Sequence, residues 1–369
     1  MAEFKTGSLT SQALQKFKKN FWGVCSLVFI VLCGLMALCC YALAPDDSKN
    51  ANQMHLSIHS RPPGFEVQML KIPSTETTEQ SALQNFFFGK KNTTTEVPIS
   101  NYQIVDGSLQ ITEYASDGVQ GMVKTYEADR FGRSSIEGVP STYISNKKFL
   151  LGTDKYGRDM LSRMLVGSRI SFSIGFIAVL ISLVIGIAMG AAAGYFGGKV
   201  DKAIMWVINV TWSIPTLLLV IAITLALGKG YWQVFIAVGI TMWVEVARIV
   251  RGQVISVKQV QYVTAARALG FSDLRIIRNH ILPNIMAPVI VISAANFASA
   301  ILIESGLSFL GIGAQPPTPS WGAMIKDHYS YIILGKPYLA VIPGVAIMSL
   351  VMAFMLFGNA LRDAFDVKS

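Results

Sequence analysis

The chain has 369 residues, of which 52% are hydrophobic and only 14% are charged, and its mean hydropathy is +0.48. Soluble domains carry about 25% charged residues, so this composition excludes an ordinary cytosolic enzyme and a disordered chain. The net charge of +9 is typical of nucleic-acid-binding proteins, but its meaning depends on where the basic residues lie.

Apolar residues are grouped in six blocks, at residues 21–44, 170–196, 203–227, 232–250, 288–311 and 338–361. Each block approaches or exceeds the ~20 residues that a helix needs to cross a bilayer. The sequence therefore predicts an all-α polytopic membrane protein with six transmembrane helices. The first block is too long for the apolar region of a signal peptide, and Pro45 would follow the cleavage point, so we expect an uncleaved anchor helix. All four cysteines lie in this block, where we expect lipid-facing or packed thiols.

The distribution of basic residues predicts the orientation of these helices. With the N-terminus inside the cell, the inside segments hold fourteen Lys and Arg residues and the short outside loops hold three. This asymmetry is the positive-inside pattern, and it places both termini in the cytoplasm. The five acidic residues of the inside segments leave 14 − 5 = +9 there. The net charge therefore follows from topology, and we expect no nucleic-acid partner.

Residues 46–150 differ from the rest of the chain because they are polar and alternate as strands do. Phe65–Met69 alternates like a half-buried strand, and Tyr102–Val105 and Leu109–Thr112 flank a turn formed by Asp106-Gly107, which is a strong hairpin signal. We expect a small β-rich extracytoplasmic insertion between helices 1 and 2. It would separate a first domain, residues 1–45, from a core at residues 151–369 that holds five transmembrane helices.

Two features of the insertion allow a second interpretation. The Thr-rich stretch at residues 71–98 is also compatible with a flexible linker. His55 and His59 have a spacing that suits metal binding on a helix, but Pro62-Pro63 follow and no partner ligand is evident. We therefore expect surface histidines and no metal site.

Two segments resemble enzyme motifs, but each lacks residues that its motif requires. Gly197-Gly198-Lys199 resembles the end of a phosphate-binding loop, but Ala193 replaces its first glycine and Val200 its Ser or Thr. Gly306-Leu307-Ser308 resembles the serine region of an intramembrane protease, which also requires a histidine inside the membrane; no histidine lies in a predicted span. We expect no catalytic residue and no cofactor bound by this chain.

The inside loop at residues 251–287 predicts two short helices. Gln259–Leu269 predicts the first, with Tyr262, Ala266 and Leu269 on one stripe. Gly270 follows where a helix favours a left-handed residue. On spacing alone this unit is compatible with a DNA-binding helix–turn–helix or an amphipathic hairpin on the lipid surface, although tethering between two spans argues against DNA.

The second of these helices begins at Ser272, which is placed to cap it, with Asp273 in its first turn. It continues through Leu274 and Ile277, and we expect Pro283 to interrupt it.

Four stretches of the chain resemble one family. Tyr262–Gly270 followed by His280–Asn284 closely resembles the EAA loop of ABC importer permeases. Three further matches occur in the expected order, at Leu151–Asp159, at Gly194–Asp201, and at Glu304–Gly311 continuing into Gln315–Gly322. The version is that of the C-type permease subunit of the dipeptide/oligopeptide/nickel family. The resemblance covers residues 149–366 well and residues 1–45 loosely, and it does not extend to residues 46–148.

The resemblance implies a fold, partners and a location. Two such permeases pair in the bacterial inner membrane, two cytoplasmic subunits use ATP and Mg to power them, and an extracytoplasmic solute-binding protein delivers the substrate. The EAA loop is the coupling segment that docks on the ATPase, which assigns that role to Tyr262, Ala265, Ala266, Arg267, Gly270, Arg275, Arg278 and Pro283. Di- or oligopeptides are the expected cargo, although near relatives carry nickel.

Three positions depart from the family pattern. Trp206 and Asn209 stand where an Arg and an Asp are usual, so any ion pair formed there is missing, and Gln261 stands where a Glu is common. The alternative function is an ion-coupled secondary transporter that acts alone, with Glu304 as its coupling site. An ATPase-docking loop argues against that alternative.

The apolar blocks contain a few residues that call for a packing or pathway role. Gly186, Gly190 and Gly194 form a small-residue face that suits close helix packing, either within this subunit or against a paired permease.

Glu304 is costly in hydrocarbon and lies eight residues after Asn296, roughly on the same helix face. The two could form a polar stripe along the pore or a hydrogen-bonded contact with a neighbouring span, and we favour the contact. Glu245 is expected to be balanced by Arg248, one helical turn away.

Overall fold

The computed structural model describes residues 9–73, 81–91, 94–115, 119–228 and 230–366. It divides into two compact units. The first comprises Met1–Gly34, Ser171–Gln315 and Val345–Ser369, and the second comprises Leu35–Ile170 and Pro316–Gly344.

Fourteen α-helices are found in the described residues. In chain order they are α1 Leu9–Lys19, α2 Phe21–Leu38, α3 Cys40–Leu43, α4 Ala82–Phe88, α5 Val139–Tyr143, α6 Met160–Phe196, α7 Gly198–Trp212, α8 Thr216–Leu227, α9 Tyr231–Val257, α10 Gln261–Ala268, α11 Asp273–Ile276, α12 Leu282–Phe309, α13 Trp321–His328 and α14 Tyr338–Phe365. A single π turn at Ile277–Ile281 joins α11 to α12.

Five helical segments of the described chain are long and apolar enough to cross a membrane: α2, α6, α9, α14 and the continuous stretch Asp273–Phe309. The predicted span at 203–227 is not one straight helix, because α7 and α8 meet at an angle of 90°. Pro215 stands at the break, and its ring nitrogen has no hydrogen to continue a helical ladder. The count is therefore five helices, or six when the bent pair is taken as one span.

The first unit is organised around α9, whose residues are mostly buried. Its valines Val246, Val250 and Val254 belong to a core that also contains residues of α6, α10, α11 and α12. At another point Phe297 of α12 stacks on Phe354 of α14, with ring centroids 4.0 Å apart. Because α9 is apolar around most of its circumference, it can pack against other helices on most sides.

The second unit contains a five-stranded antiparallel sheet. Its strands are β1 Phe65–Pro73, β2 Thr94–Val105, β3 Ser108–Glu113, β4 Val123–Tyr126 and β5 Ile144–Phe149. They lie in the order β4-β3-β2-β1-β5. Alternate side chains of β1 and β3, among them Leu70, Leu109 and Ile111, pack with Phe131 and Val139 on one face.

The local sequence signals of this unit can be compared with the strands. The predicted hairpin is confirmed, since Val105 pairs with Ser108 and both Asp106 and Gly107 have positive φ, as a two-residue type I′ turn requires. The linker interpretation of residues 71–98 is wrong for the described part, where β1, α4 and β2 occupy much of it; residues 74–80 and 92–93 lie outside the description.

Candidate functional site

The 251–287 loop folds as a short helix, a tight turn and a second helix that leads into α12. Gly270 follows α10 with a φ of 76°. Its N–H donates to the Arg267 carbonyl at 3.0 Å, and the Phe271 N–H donates to the Ala266 carbonyl at 3.2 Å. These two bonds form a Schellman motif, so the predicted left-handed conformation of Gly270 is confirmed.

The two faces of α10 have different surroundings. Val263 and Ala266 are buried in the core of the first unit, whereas Tyr262 is 40% exposed and Leu269 is 74% exposed. The predicted stripe of Tyr262, Ala266 and Leu269 is therefore wrong, because Val263 shares the inner face with Ala266. Leu274 of α11 is 76% exposed, so the tip of the loop presents apolar side chains to the surroundings, as docking surfaces do.

The loop is tied to the end of α6 by polar contacts. The Tyr195 hydroxyl donates to Asp273 Oδ1 at 2.6 Å, and Lys258 Nζ donates to the Tyr195 carbonyl at 2.8 Å. Arg251 forms a bidentate ion pair with Asp201 of α7, at 2.5 and 2.7 Å. The motif Gly194–Asp201 and the loop motif, which are far apart in sequence, thus form one structural element.

Asp201 also qualifies the expectation drawn from Trp206 and Asn209. Those two side chains are exposed, and the ion pair of this region is made five residues before Trp206, between Asp201 and Arg251.

Two expectations about the second helix of the loop are wrong. The Ser272 side chain makes no capping hydrogen bond, although its backbone is extended as in a cap. Pro283 does not interrupt the helix: it lies in the first turn of α12, directly after the π turn, and the helical segment is continuous from Asp273 to Phe309. The π turn before it lets the chain continue into α12 as one long segment.

The three arginines of the loop occupy different positions. The Arg267 guanidinium lies 5.4 Å from the centre of the Tyr195 ring, so it helps to hold the loop against α6. Arg275, which stacks on Phe271 at 4.3 Å, and Arg278 are exposed and border a surface groove. Their charges face outward.

The small-residue face of α6 lies against α9 of the same chain. A Cβ atom added to Gly190 would be 2.5 Å from the Ala247 carbonyl oxygen, and one added to Gly186 would be 2.5 Å from Val246 Cβ. A Cβ atom added to Gly194 would be 2.8 Å from the Arg251 carbonyl oxygen. Of the two packing partners left open by the sequence, these distances describe the intrachain one.

Glu304 and Asn296 are both buried, each only 1% exposed. Ser308, one turn later on α12, donates from its hydroxyl to Glu304 Oε1 at 2.6 Å, and the same hydroxyl accepts from the Ala314 N–H at 3.2 Å. The carboxylate thus anchors the end of α12 to the chain that follows. Asn296 Nδ2 has no hydrogen-bond partner within the described part of the chain.

The surroundings of Glu245 differ from those predicted from the sequence. Its expected balance by Arg248 is wrong: the Arg248 guanidinium lies over the Trp212 ring, 3.7 Å from its centre, and no ion pair joins Glu245 to the described residues. Glu245 is exposed although it lies near the midpoint of the apolar helix α9. The signal that could have revealed this is Pro215, which interrupts the facing apolar block.

The stretch Leu151–Asp159 forms a buried cluster of charges in the second unit. Asp154 is fully buried and accepts from Arg158 Nε at 2.6 Å, and Arg163 lies 3.6 Å from the same carboxylate. Burial raises the pKa of Asp159 above its ordinary range, while hydrogen bonds from Ser162 oppose the shift. Such paired burial fixes geometry in a way that solvent-exposed pairs do not.

The expectation of surface histidines is wrong for His55, which is only 8% exposed. Its Nε2 lies 4.0 Å from Glu96, and burial, with a contribution from nearby Lys147, lowers its pKa. His59 is exposed. The described residues contain no group of three or more His, Cys, Asp or Glu side chains arranged to hold a metal.

Comparison with known proteins finds a family, curated relatives and solved structures that this chain resembles. Residues 164–368 match the family model described as "Binding-protein-dependent transport system inner membrane component". The chain is 41% identical over 218 residues to the glutathione transport system permease protein GsiD of Pectobacterium atrosepticum, which covers 59% of this chain and 72% of that protein. It is 42% identical over 217 residues to the dipeptide transport system permease protein DppC of Bacillus subtilis, covering 59% and 68% respectively.

A similarity to solved structures is also found. An inward-facing structure of the MetNI methionine ABC transporter aligns with a TM-score of 0.46 and 17% identity, covering 56% of this chain and 97% of that one.

Proposed function

The chain belongs to the family of inner membrane components of binding-protein-dependent transport systems, and we propose that it is the permease subunit of an ATP-driven importer of short peptides. The names of its relatives, a glutathione permease and a dipeptide permease, support a peptide cargo. Six spans, with α7 and α8 forming one bent span, and cytoplasmic termini would place the 65–149 sheet outside the cytoplasm, where it could contact a solute-binding protein or the paired permease.

The observation that carries this proposal is the form of the 251–287 loop. Its tip exposes Tyr262, Leu269 and Leu274, its outer rim carries Arg275 and Arg278, and its base is fixed to α6 through Tyr195 and Asp273. An apolar tip with a basic rim fits a cleft with acidic edges on a partner. A push on the tip would be transmitted to α6 and α9 because the base is held by short polar contacts.

We propose that the partner at this tip is a cytoplasmic ATPase subunit, two of which would use ATP and Mg to drive a pair of permeases between inward- and outward-open states. No step of ATP hydrolysis is assigned to this chain. Glu304 is hydrogen-bonded within its own helix end, which weighs against a solitary ion-coupled carrier that would need it as a coupling site.

The test is Gly270→Val, which forces a β-branched residue into a left-handed conformation and redirects the tip of the loop. We expect the protein to reach the membrane, while ATPase subunits no longer co-purify and uptake falls at least tenfold. Gly107→Val is the matched control, because Gly107 has nearly the same φ, 73°, and the same open surroundings in the hairpin of the sheet.

Normal ATPase binding in Gly270→Val would contradict the coupling assignment. Purification of the wild-type chain without ATPase subunits under mild detergent would favour the solitary carrier instead. For the orientation, protease added to intact spheroplasts should cleave within residues 46–150 and leave the 251–287 loop intact.

A further inference from the structure

A cavity of about 320 Å³ opens beside the midpoint of α9, lined by residues of α7, α8, α9 and α12. Its volume is within the range of small-molecule sites, about 300–1,000 Å³. Among its lining residues are four hydroxyl groups and one carboxylate, those of Thr211, Thr216, Thr241, Ser299 and Glu245. A recess of this polarity is unusual between apolar helices, where the lining is expected to be aliphatic.

The bend between α7 and α8 forms one wall of the cavity. Thr211 and Trp212 end α7 and Thr216 begins α8, so the interrupted backbone between them lies at the cavity rim. Non-helical backbone at membrane depth is tolerated where it lines a cavity, and interrupted helices are characteristic of solute sites in transporters. The bend therefore has a physical reason to be at this place.

Glu245 gives the cavity its charge. It is the one ionisable side chain among the described lining residues, and its only near cation in sequence, Arg248, lies over Trp212 instead. Glu245 is exposed, so its carboxylate is accessible to a cation that enters the cavity, where the hydroxyl groups supply further polar contacts. An acidic group placed in this way marks a solute or ion pathway.

We propose that Glu245 binds the protonated amine of the transported solute in this cavity, which makes it a specificity-determining residue for solutes with a free amino group. The inference rests on the proposed importer function. An ammonium group has three donors, which one carboxylate and neighbouring hydroxyl oxygens can accept. Imidazole suits a nickel-type cation, and no His is found in the described lining.

The experiment compares two probes that differ in one charge: alanyl-alanine amide, which has a free ammonium, and its N-acetylated form. Equilibrium binding is measured by calorimetry on the full chain, purified in its complex into lipid nanodiscs. The variants are Glu245→Gln, which removes the charge, and Glu245→Asp, which keeps it. Glu66→Gln is the control, because Glu66 is an exposed carboxylate that pairs with Lys148 on the sheet.

In the wild type and in Glu66→Gln we expect the cationic probe to bind at least tenfold more tightly than the neutral one. Glu245→Gln should abolish the difference, and Glu245→Asp should retain part of it. An unchanged preference in Glu245→Gln, or no preference in the wild type, would overturn the proposal. Binding of Ni²⁺ alone that disappears in Glu245→Gln would also overturn it.

ATP-driven uptake by the same complex in proteoliposomes separates this inference from the importer function. Peptide uptake without a preference for the amine would leave the importer function standing and remove the role of Glu245. A Glu245-dependent preference in binding, with no uptake of any peptide, would support the cavity assignment and refute the importer function.

Discussion

Glu304 in α12 and Glu245 in α9 are both acidic residues of apolar helices in the same unit, yet one is 1% exposed and hydrogen-bonded to Ser308, while the other is exposed to a cavity. Both are costly in hydrocarbon. The cost is reduced in two ways: Glu304 accepts a hydrogen bond from the Ser308 hydroxyl inside the protein, and Glu245 has access to polar surroundings. The same residue type thus serves packing in one helix and a binding cavity in the other.

The difference depends on how α9 is held. One side of α9 lies on the glycines of α6, and the other side faces the cavity formed at the bend of α7 and α8. Because the glycine contact admits no side chain, it fixes the rotation of α9 and thereby the direction in which Glu245 faces.

The largest expected effect therefore comes from Gly190→Val, which would disrupt the contact between α6 and α9. The added Cβ would be 2.5 Å from the Ala247 carbonyl oxygen, which is backbone and cannot yield alone, so we expect overpacking to cost about 3 kcal/mol. The yield of folded protein on size exclusion and its melting temperature in detergent should both fall. Gly344→Val, in open surroundings in α14, is the control and should change neither; a stable Gly190→Val would show that α6 does not fix α9.

The next effect distinguishes the two carboxylates directly. Glu304→Leu removes the acceptor of the Ser308 hydroxyl in a buried site, so we expect a loss of about 2 kcal/mol, whereas Glu304→Gln should keep most of the hydrogen bonding. Glu245→Leu should change stability by no more than about 0.5 kcal/mol, since its side chain has no buried partner. Melting temperatures measured side by side check this order, and equal losses in the two Leu variants would remove the distinction.

Sequence reasoning succeeded where the chemistry is local. Gly270 and the pair Asp106-Gly107 were placed correctly because a left-handed backbone after a helix or in a two-residue hairpin selects glycine and aspartate. Neither prediction required knowledge of a residue more than a few positions away.

The contacts that sequence reasoning missed join distant residues. Tyr195 and Asp273 are 78 positions apart, and each has an ordinary local interpretation as an aromatic helix end and a first-turn acid. Arg248 was assigned to Glu245 because i, i+3 neighbours meet on a helix, but the bend after Trp212 offers it an aromatic face. Tertiary packing determines which of these partners a residue contacts, and the helical period alone does not predict it.

A smaller effect should follow from Trp212→Leu, which removes the ring that holds Arg248 away from Glu245. Loss of the ring under the Arg248 guanidinium should cost about 1 kcal/mol and free Arg248 to turn toward Glu245, one helical turn away. We expect a slightly lower melting temperature and a reduced preference for the cationic probe. Trp206→Leu is the matched control, because Trp206 is an exposed tryptophan of the same helix; if both variants behave alike, Arg248 is not held away from Glu245 by Trp212.

The smallest expected effect concerns two histidines of the second unit, of which His328 is buried and His59 is exposed. His328 is 1% exposed, its Nδ1 is 2.7 Å from the Met324 carbonyl oxygen, and its Nε2 accepts from the Lys155 N–H at 3.3 Å. Burial lowers the pKa of His328, although the Met324 carbonyl, Asp154 and Asp327 oppose the shift. A proton on Nε2 would also face the Lys155 N–H donor, so the folded state favours the neutral ring.

Because the pKa of His328 is lower in the folded than in the unfolded chain, its contribution to stability is present above the unfolded value, about 6.5, and is lost as the pH falls below it. The melting temperature of the wild type should therefore decrease from pH 7 toward pH 5. His328→Gln should flatten part of this slope, and not all of it, since burial lowers the pKa of His55 in the same direction. His59→Gln, at an exposed position, should leave the slope as in the wild type, and a slope that His328→Gln does not reduce would show that burial of this ring has no bearing on the acid sensitivity of the fold.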